Sequence, residues 1–246
     1  MKAIVFGGTT GMGRAIARRL AERGDSVFLM GLDAKDLAES AADLKARHPQ
    51  RSEIGHVVCD LEKPEGFSAA LDAADASLGQ FDTVVVTAAM FASQDELETD
   101  VELARRLVTV NYANTVVFCE HVRTRLLARG GGRLVAFSSV AGDRGRKPVA
   151  IYGSSKAGLS VYLEALDHKF HAAGLSVTCV KPGFVKTGMT AGLKPPPFAG
   201  EPEQVAADVV RAMDRRKPVV YTPRIWGLVM LVIRSLPRFV MRKIGF

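Results

Sequence analysis

Short apolar runs rich in β-branched residues alternate along the chain with longer segments whose apolar residues recur at helical spacing. The runs predict seven strands, near residues 3–6, 27–30, 54–59, 83–86, 134–137, 175–180 and 219–221. The longer segments predict helices over residues 12–23, 34–47, 65–78, 101–129, 152–173 and 202–216. Strands that are apolar throughout are buried on both faces. We therefore predict an α/β fold in which a doubly wound, seven-stranded parallel sheet carries helices on both faces.

The 246 residues are enough for one domain of this kind, and we place it at residues 1–222. Residues 223–246 then form a C-terminal tail. The one long irregular segment runs from Thr187 to Pro202 and contains Pro195-Pro196-Pro197, which is typical of a mobile lid.

The charge is unevenly distributed. The net charge is +7, yet eight of the 33 bases follow Asp214, the last of the 26 acids. The rest of the chain is therefore nearly neutral, which argues against a nucleic-acid-binding protein and favours a local contact between the tail and an anionic partner.

The sequence holds little evidence about the cellular compartment of the protein or about metal binding. The chain opens directly on a strand-like run without a secretory leader pattern, and no segment reaches the ~20 apolar residues of a membrane span. Cys59, Cys119 and Cys179 are too widely spaced for a metal site or a disulfide framework. We expect a cytoplasmic protein without a structural metal.

A glycine-rich loop follows the first predicted strand: Gly7-Gly8-Thr9-Thr10-Gly11-Met12-Gly13. Gly7, Gly11 and Gly13 permit a tight turn and a close approach to a pyrophosphate, which the amides at the start of the next helix would face. The pattern also fits an ordinary strand-to-helix turn, but its place on the first strand of an alternating α/β chain favours a dinucleotide site of the Rossmann type.

The end of the second strand bears on the choice of dinucleotide. A carboxylate there binds the ribose hydroxyls of NAD and repels the 2′-phosphate of NADP. The sequence has Gly31-Leu32-Asp33, so this acid is missing or displaced to Asp33. NADP is slightly favoured, and NAD stays open. Asp60, after the third strand, is a candidate adenine contact or a turn cap.

Three residues have the chemistry needed to reduce a carbonyl. Tyr152 and Lys156 lie one helical turn apart, and Ser139 lies at the end of a predicted strand. Hydride addition to a carbonyl leaves an alkoxide that needs a proton, and a tyrosine with a pKa of about 10 relays it poorly near neutral pH. A nearby lysine ammonium and an oxidised nicotinamide would both lower that pKa, while a serine hydroxyl can polarise the carbonyl.

These motifs together resemble the short-chain dehydrogenase/reductase family over nearly the whole chain. The resemblance rests on the glycine loop, Asp60, Asn111, Ser138-Ser139, Tyr152-Gly153-Ser154-Ser155-Lys156 and Pro182-Gly183-Phe184-Val185-Lys186-Thr187. Two positions depart from the family pattern. Val86-Thr87-Ala88-Ala89 replaces its usual Asn-Asn-Ala-Gly, and Phe6 replaces the threonine before Gly7. Both departures put the local loop geometry in doubt.

The resemblance implies a role for each matching residue. Tyr152 is the general acid/base, Lys156 binds the nicotinamide ribose and tunes Tyr152, Ser139 positions the carbonyl, and Asn111 holds a water of the proton relay. The implied cofactor-binding residues are Gly7, Thr9, Gly11, Met12, Gly13, Asp60, Ala88, Tyr152, Lys156, Pro182, Gly183, Val185 and Thr187. The resemblance also implies a homodimer or homotetramer. A catalytically silent protein on the same fold is the alternative.

A narrower resemblance concerns the substrate. Ser138 to Arg146, Thr187 to Thr190 and Ile233 to Arg238 resemble the decaprenylphosphoryl-2-keto-ribose reductase subgroup. This implies the reduction of a keto-sugar carried on a polyprenyl phosphate, with Arg144, Arg146 and Lys194 as candidates for the phosphate contact. The alternative substrate is another hydrophobic carbonyl, such as a 3-ketoacyl or steroid-like compound.

The tail itself combines an unbroken apolar run, Ile225 to Ile233, with arginines that alternate with apolar residues beyond it. This pattern is typical of an element that lies on the cytoplasmic face of a membrane. It is also compatible with a cover over the substrate pocket or with a subunit interface.

Overall fold

Seven parallel strands form one sheet in the part of the chain that the structure describes, as predicted. The computed structural model describes residues 1–47 and 53–244, so the last two residues of the predicted tail lie outside the described residues. The strands are β1 (Lys2–Phe6), β2 (Ser26–Gly31), β3 (Ile54–Val58), β4 (Thr83–Val86), β5 (Gly132–Phe137), β6 (Leu175–Pro182) and β7 (Val219–Thr222). Their order is β3-β2-β1-β4-β5-β6-β7. The order reverses between β1 and β4, and parallel sheets bind ligands at the carboxyl ends of the strands beside such a reversal.

Ten α-helices lie in the described residues. They are α1 (Gly11–Arg23), α2 (Ala34–Arg47), α3 (Phe67–Leu78), α4 (Gln94–Thr99), α5 (Val101–Val108), α6 (Thr115–Ala128), α7 (Ala150–Phe170), α8 (Pro202–Asp214), α9 (Ile225–Ser235) and α10 (Arg238–Lys243). The helix predicted over 101–129 is divided into α5 and α6 by a π-helical turn, Thr109–Asn114. The short α4 was not predicted. It is set by Ser93, which exchanges hydrogen bonds with Glu96 in a capping box.

Helices cover both faces of the sheet because alternate residues of each strand point to opposite sides. Ile4 and Phe6 of β1 face α3, α6 and α7, where Phe6 meets Phe118 edge to face at 4.9 Å. Ala3 and Val5 face α1, α2 and α8 on the other side. The apolar character of β1 therefore follows from burial on two sides, and the carboxyl ends of the strands are left to carry the polar groups.

The tail folds back onto the sheet domain as α9 and α10. Met230 and Ile233 of α9 are buried against Val140, together with the partly buried Tyr221 and Trp226. The opposite face of α9 carries exposed Leu228, Leu231 and Val232. Within the described residues, none of the helices has both the length and the apolarity to cross a bilayer.

Candidate active site

The glycine loop after β1 has the geometry that a bound pyrophosphate requires. Gly7 has a φ of 89°, and a Cβ on Gly13 would overlap the Gly7 carbonyl oxygen, so both positions need glycine. The loop leads directly into α1, whose first turn contains no acid. An anion placed over this loop meets free helix amides and no opposing carboxylate, so the residues present fit a dinucleotide.

Thr87 holds this loop from the neighbouring strand, a contact that the sequence analysis missed. Its hydroxyl donates to the carbonyl oxygens of Phe6 (3.0 Å) and Gly7 (3.1 Å). The amides of Thr87 and Ala88 also donate to the Phe6 carbonyl. The departure at Val86-Thr87-Ala88-Ala89 thus leaves the loop anchored, because the threonine hydroxyl supplies the side-chain donor.

At the end of β2, the candidate ribose acid is engaged elsewhere. The Asp33 carboxylate accepts a hydrogen bond from the Asp36 amide at 2.8 Å and so caps α2. Gly31 leaves room beside Thr9, since a Cβ there would lie 3.7 Å from its Cγ2 atom. Asp60 accepts from the Glu62 amide at 2.9 Å, which is the turn-capping alternative, although its second oxygen has only a 3.7 Å ion pair with Lys63.

Tyr152 and Ser139 meet at the carboxyl end of the sheet. The Ser139 hydroxyl accepts from the Ala141 amide at 3.1 Å and lies close enough to the Tyr152 hydroxyl to affect its pKa. Burial raises the pKa of Tyr152 to about 12, and the neighbouring Ser139 hydroxyl offsets only part of this. The expected lowering of this pKa by Lys156 is not found in the protein alone, because the ammonium points elsewhere.

The Lys156 ammonium turns toward the sheet. It donates to the Phe137 carbonyl oxygen at 2.9 Å and lies 5.8 Å from the centre of the Tyr152 ring. The side chain is 2% exposed, and burial lowers its pKa to about 8. Lys156 is therefore a buried cation one helical turn from Tyr152, within the same site as Ser139.

Asn111 lies in the π-helical turn and is fully buried. Both groups of its amide are bound to Met90, whose N–H donates to Oδ1 (2.7 Å) and whose carbonyl accepts from Nδ2 (2.9 Å). The side chain thus fixes the segment after β4. Short π-helical turns are frequent at functional sites.

Comparison with known proteins identifies the family to which this chain belongs. The family model described as short chain dehydrogenase matches residues 1–197, which include the glycine loop and all four candidate catalytic residues. The chain belongs to the short-chain dehydrogenase family. It is an NAD(P)-dependent dehydrogenase/reductase.

Relatives of this short-chain dehydrogenase are similar over almost their whole length. An uncharacterized oxidoreductase of Mycobacterium tuberculosis is 35% identical over 247 residues, which cover 98% of this chain and 95% of the relative. Carbonyl reductase family member 4 of Xenopus tropicalis is 29% identical and covers 93% and 94%. The structure of L-sorbose reductase from Gluconobacter frateurii, complexed with NADPH and L-sorbose, has a TM-score of 0.78 at 22% identity and covers 89% and 94%. That last similarity shows the fold alone.

The remaining candidate residues of the dehydrogenase follow β6. Pro182 ends the strand and Gly183 follows it, and Val185 is buried and pairs with Gly200. The Thr187 methyl group faces the glycine loop, where a Cβ on Gly11 would lie 3.2 Å from it. The segment after β6 is thereby brought over the glycine loop, and Met12 packs partly buried beneath it against the core.

Two aromatic residues of the site were not foreseen. Phe91 meets the Tyr152 ring edge to face at 5.3 Å. Trp226 of α9 lies against the Gly183 backbone, where a Cβ would overlap the indole ring. Neither residue belongs to a sequence motif. The signal for Phe91 was its position after β4, and the signal for Trp226 was a single tryptophan in an apolar run.

Proposed function

We propose that the protein reduces a carbonyl to an alcohol with NADPH. The observation that carries this proposal is the proximity of the Ser139 and Tyr152 hydroxyls at the carboxyl end of the sheet, with the Lys156 ammonium one turn away on α7, 5.8 Å from the centre of the Tyr152 ring. A reduced nicotinamide dinucleotide bound over the glycine loop supplies the hydride. The protein must then deliver a proton to the carbonyl oxygen and stabilise the charge that develops there.

Each catalytic side chain has a task that its environment supports. Because burial keeps the pKa of Tyr152 well above neutral, its hydroxyl carries the proton that the product oxygen needs. Ser139 orients the carbonyl against that hydroxyl. Lys156 binds the nicotinamide ribose, and its cation favours the tyrosinate left after proton transfer. Asn111 holds a relay water through its main chain.

NADPH is our preferred cofactor because the position directly after β2, where a carboxylate would repel a 2′-phosphate, is Gly31 and has no side chain. The nearest acid in the sequence, Asp33, accepts the Asp36 amide through one oxygen and so caps α2. Thr9 lies beside this position without charge. The preference is a proposal for this chain, to be measured against NADH.

We propose a keto-sugar carried on a polyprenyl phosphate as the substrate. The support is the tail, which carries apolar residues and bases and whose Trp226 lies against Gly183. Lys194 is exposed on the segment after β6, and Arg146 is half-buried after β5. Arg144, the third phosphate candidate, donates to the Leu236 carbonyl at 2.8 Å and so has one donor engaged with the tail.

The first experiment follows cofactor oxidation in detergent with a polyprenyl-phosphoryl keto-pentose, using NADPH and NADH in parallel. We expect turnover that falls at least ~10³-fold in Tyr152→Phe, which removes only the hydroxyl. Turnover that survives in this variant would refute the assigned acid. Cofactor binding without turnover would move the substrate to another hydrophobic carbonyl, and a folded protein that binds no cofactor would be a silent member of the family.

The outer face of the tail supports contact with an anionic membrane. Leu228, Leu231, Val232 and Phe239 are each more than half exposed, and Arg234, Arg238, Arg242 and Lys243 are exposed among them. With no acid after Asp214, this surface combines apolar area with uncompensated positive charge. Each base near an anionic surface contributes ~1 kcal/mol.

Vesicle co-sedimentation tests the membrane proposal. Leu231→Glu places a charge on the outer face of α9 and is expected to reduce binding to anionic vesicles at least ~10-fold. Val58→Glu makes the same change at a residue that is 50% exposed at the end of β3, on the edge of the sheet opposite β7, and is expected to bind as the unaltered protein does. Equal binding by all three proteins, or equal binding to neutral vesicles, would contradict a tail-mediated contact.

Self-association is proposed through α5, α6 and α7. Val101, Val117 and Val161 are exposed on these helices, and family members are often oligomeric. Analytical ultracentrifugation is expected to give a dimer or tetramer. A monomer at the highest concentration tested would refute this proposal.

A further inference from the structure

Trp226 joins three segments of the protein that are far apart in the sequence. Its indole lies against Gly183 at the end of β6, and its Nε1–H donates to the Phe198 carbonyl oxygen at 3.2 Å. The ring also packs on the small cluster of Val140 and Met230. It therefore touches the turn after β6 and the segment before α8, and it packs on the cluster that includes Val140, the residue after Ser139.

Trp226 contacts a loop whose two ends lie close together. This loop comprises residues 187–199 and is called the excursion below. Its base is pinned by the amide of Lys186, which donates to the Gly200 carbonyl at 3.0 Å, and by the Gly200 amide, which donates to Phe184 at 2.8 Å. Within the excursion the side chains of Met189, Leu193 and Phe198 are exposed. Trp226 is thus the contact that ties the tail to this segment.

Phe198 adopts a costly conformation at this contact. Its φ is 67°, in the left-handed region that residues other than glycine rarely occupy. Such conformations persist where the surrounding structure holds them, and they cluster at sites that clamp a ligand. Here the backbone of Phe198 presents its carbonyl oxygen to the indole N–H.

We propose that Trp226 is a positioning residue that forms one wall of the carbonyl pocket, between the turn at Gly183 and the excursion 187–199. This inference rests on the proposed function and takes Pro182 and Gly183, named above as candidate cofactor-binding residues, to border the bound cofactor. The half-buried indole offers a flat apolar surface to the group attached to the reacting carbonyl. The tail then selects the substrate as well as covering the site.

Trp226 is the only tryptophan of the chain, so tryptophan fluorescence reports on this position alone. Reduced nicotinamide absorbs where indole emits. We expect NADPH to remove most of the Trp226 emission, and 2′-phospho-ADP-ribose, which lacks the nicotinamide, to change it little. Calorimetry on the same samples measures binding separately. Failure to bind NADPH would refute the proposed function, whereas NADPH binding with unchanged emission would refute only the place of Trp226.

Substitution tests the positioning role with whichever carbonyl shows turnover. Trp226→Ala is expected to raise the KM for the carbonyl about tenfold and to leave the KM for NADPH within about twofold. Trp226→Phe keeps an aromatic wall, so its KM for the carbonyl is expected to stay close to that of the unaltered protein.

Ser235→Ala, at an exposed position of the same helix, serves as the control. A parallel rise of both KM values, or no rise in a folded Trp226→Ala protein, would overturn the proposal. If that variant does not fold, the fluorescence of the unaltered protein still tests the position of Trp226.

Discussion

Lys156 combines a catalytic position with a cost in stability. Its ammonium is almost completely removed from water and has the Phe137 carbonyl oxygen as a hydrogen-bond acceptor at 2.9 Å. Burial lowers its pKa from 10.5 to about 8, so the folded protein binds this proton less tightly than the unfolded chain does. The penalty is therefore complete below pH 8 and disappears as the pH rises toward 10.5.

Replacement of this cation should make the protein more stable and less active. We expect Lys156→Met to raise the free energy of unfolding by about 2 kcal/mol at pH 7, since one pKa unit corresponds to ~1.4 kcal/mol and the lost bond to Phe137 offsets part of the gain. Urea titrations at pH 7 and pH 10 measure it, and the gain should shrink at the higher pH. Lys45→Met, on the exposed face of α2, should change stability by less than about 0.5 kcal/mol at both. A gain that is independent of pH would contradict this assignment.

At the scale of the elements, the strand ends decide where chemistry is possible. The glycine loop after β1 could be read directly from the sequence because only glycine fits at Gly7 and Gly13. Its anchor could not, since Thr87 replaces the residue type that the family pattern leads one to expect. The Thr87 hydroxyl replaces the side-chain amide of the family pattern as the hydrogen-bond donor to the loop. It can do so because the carbonyl oxygens of Phe6 and Gly7 lie 3.0 and 3.1 Å from it.

The end of β2 gives a prediction about cofactor choice. A Cβ on Gly31 would lie 3.6 Å from Leu37 and 3.7 Å from Thr9, which is ordinary contact, so a side chain is tolerated there. Gly31→Asp places a carboxylate where it repels a 2′-phosphate and binds ribose hydroxyls. We expect the ratio of kcat/KM for NADPH over NADH to fall at least ~10-fold. Gly31→Ala fills the space without charge and should keep the ratio. A ratio unchanged by the carboxylate would place the adenosine ribose elsewhere.

At the scale of the whole molecule, the sheet and the tail were predictable to different degrees. All seven strands could be predicted because the central strands are buried and largely apolar, and the edge strands β3 and β7 still carry short β-branched runs. The path of the tail could not, because the apolar run from Ile225 to Ile233 fits a membrane, a pocket or an interface equally well. In the structure Met230 and Ile233 are buried on Val140 while Leu228 remains exposed, a division that depends on tertiary contacts alone.

A buried ion pair beneath the tail links the loops of the site. The Asp143 carboxylate is 2% exposed and accepts from the Lys181 ammonium at 2.6 Å and from the Tyr221 hydroxyl at 2.7 Å. Asp143 follows Ser139 by four residues, and Lys181 directly precedes Pro182. The sequence separates these three residues widely, and only the adjacency of β5, β6 and β7 brings them together.

Removing one partner of this pair should destabilise the whole fold. Asp143→Asn leaves the Lys181 ammonium buried without its counter-charge, which costs about 3–5 kcal/mol, whereas the double variant with Lys181→Met removes both charges and should recover much of that loss. Denaturant unfolding of the two single variants and the double variant measures the coupling. Glu201→Gln breaks the exposed pair with Lys186, where both side chains are about half exposed, and should cost less than about 1 kcal/mol. If the losses in free energy of unfolding are additive in the double variant, the Asp143 and Lys181 side chains act independently. The loop after β5 and the end of β6 would then be held together by packing alone.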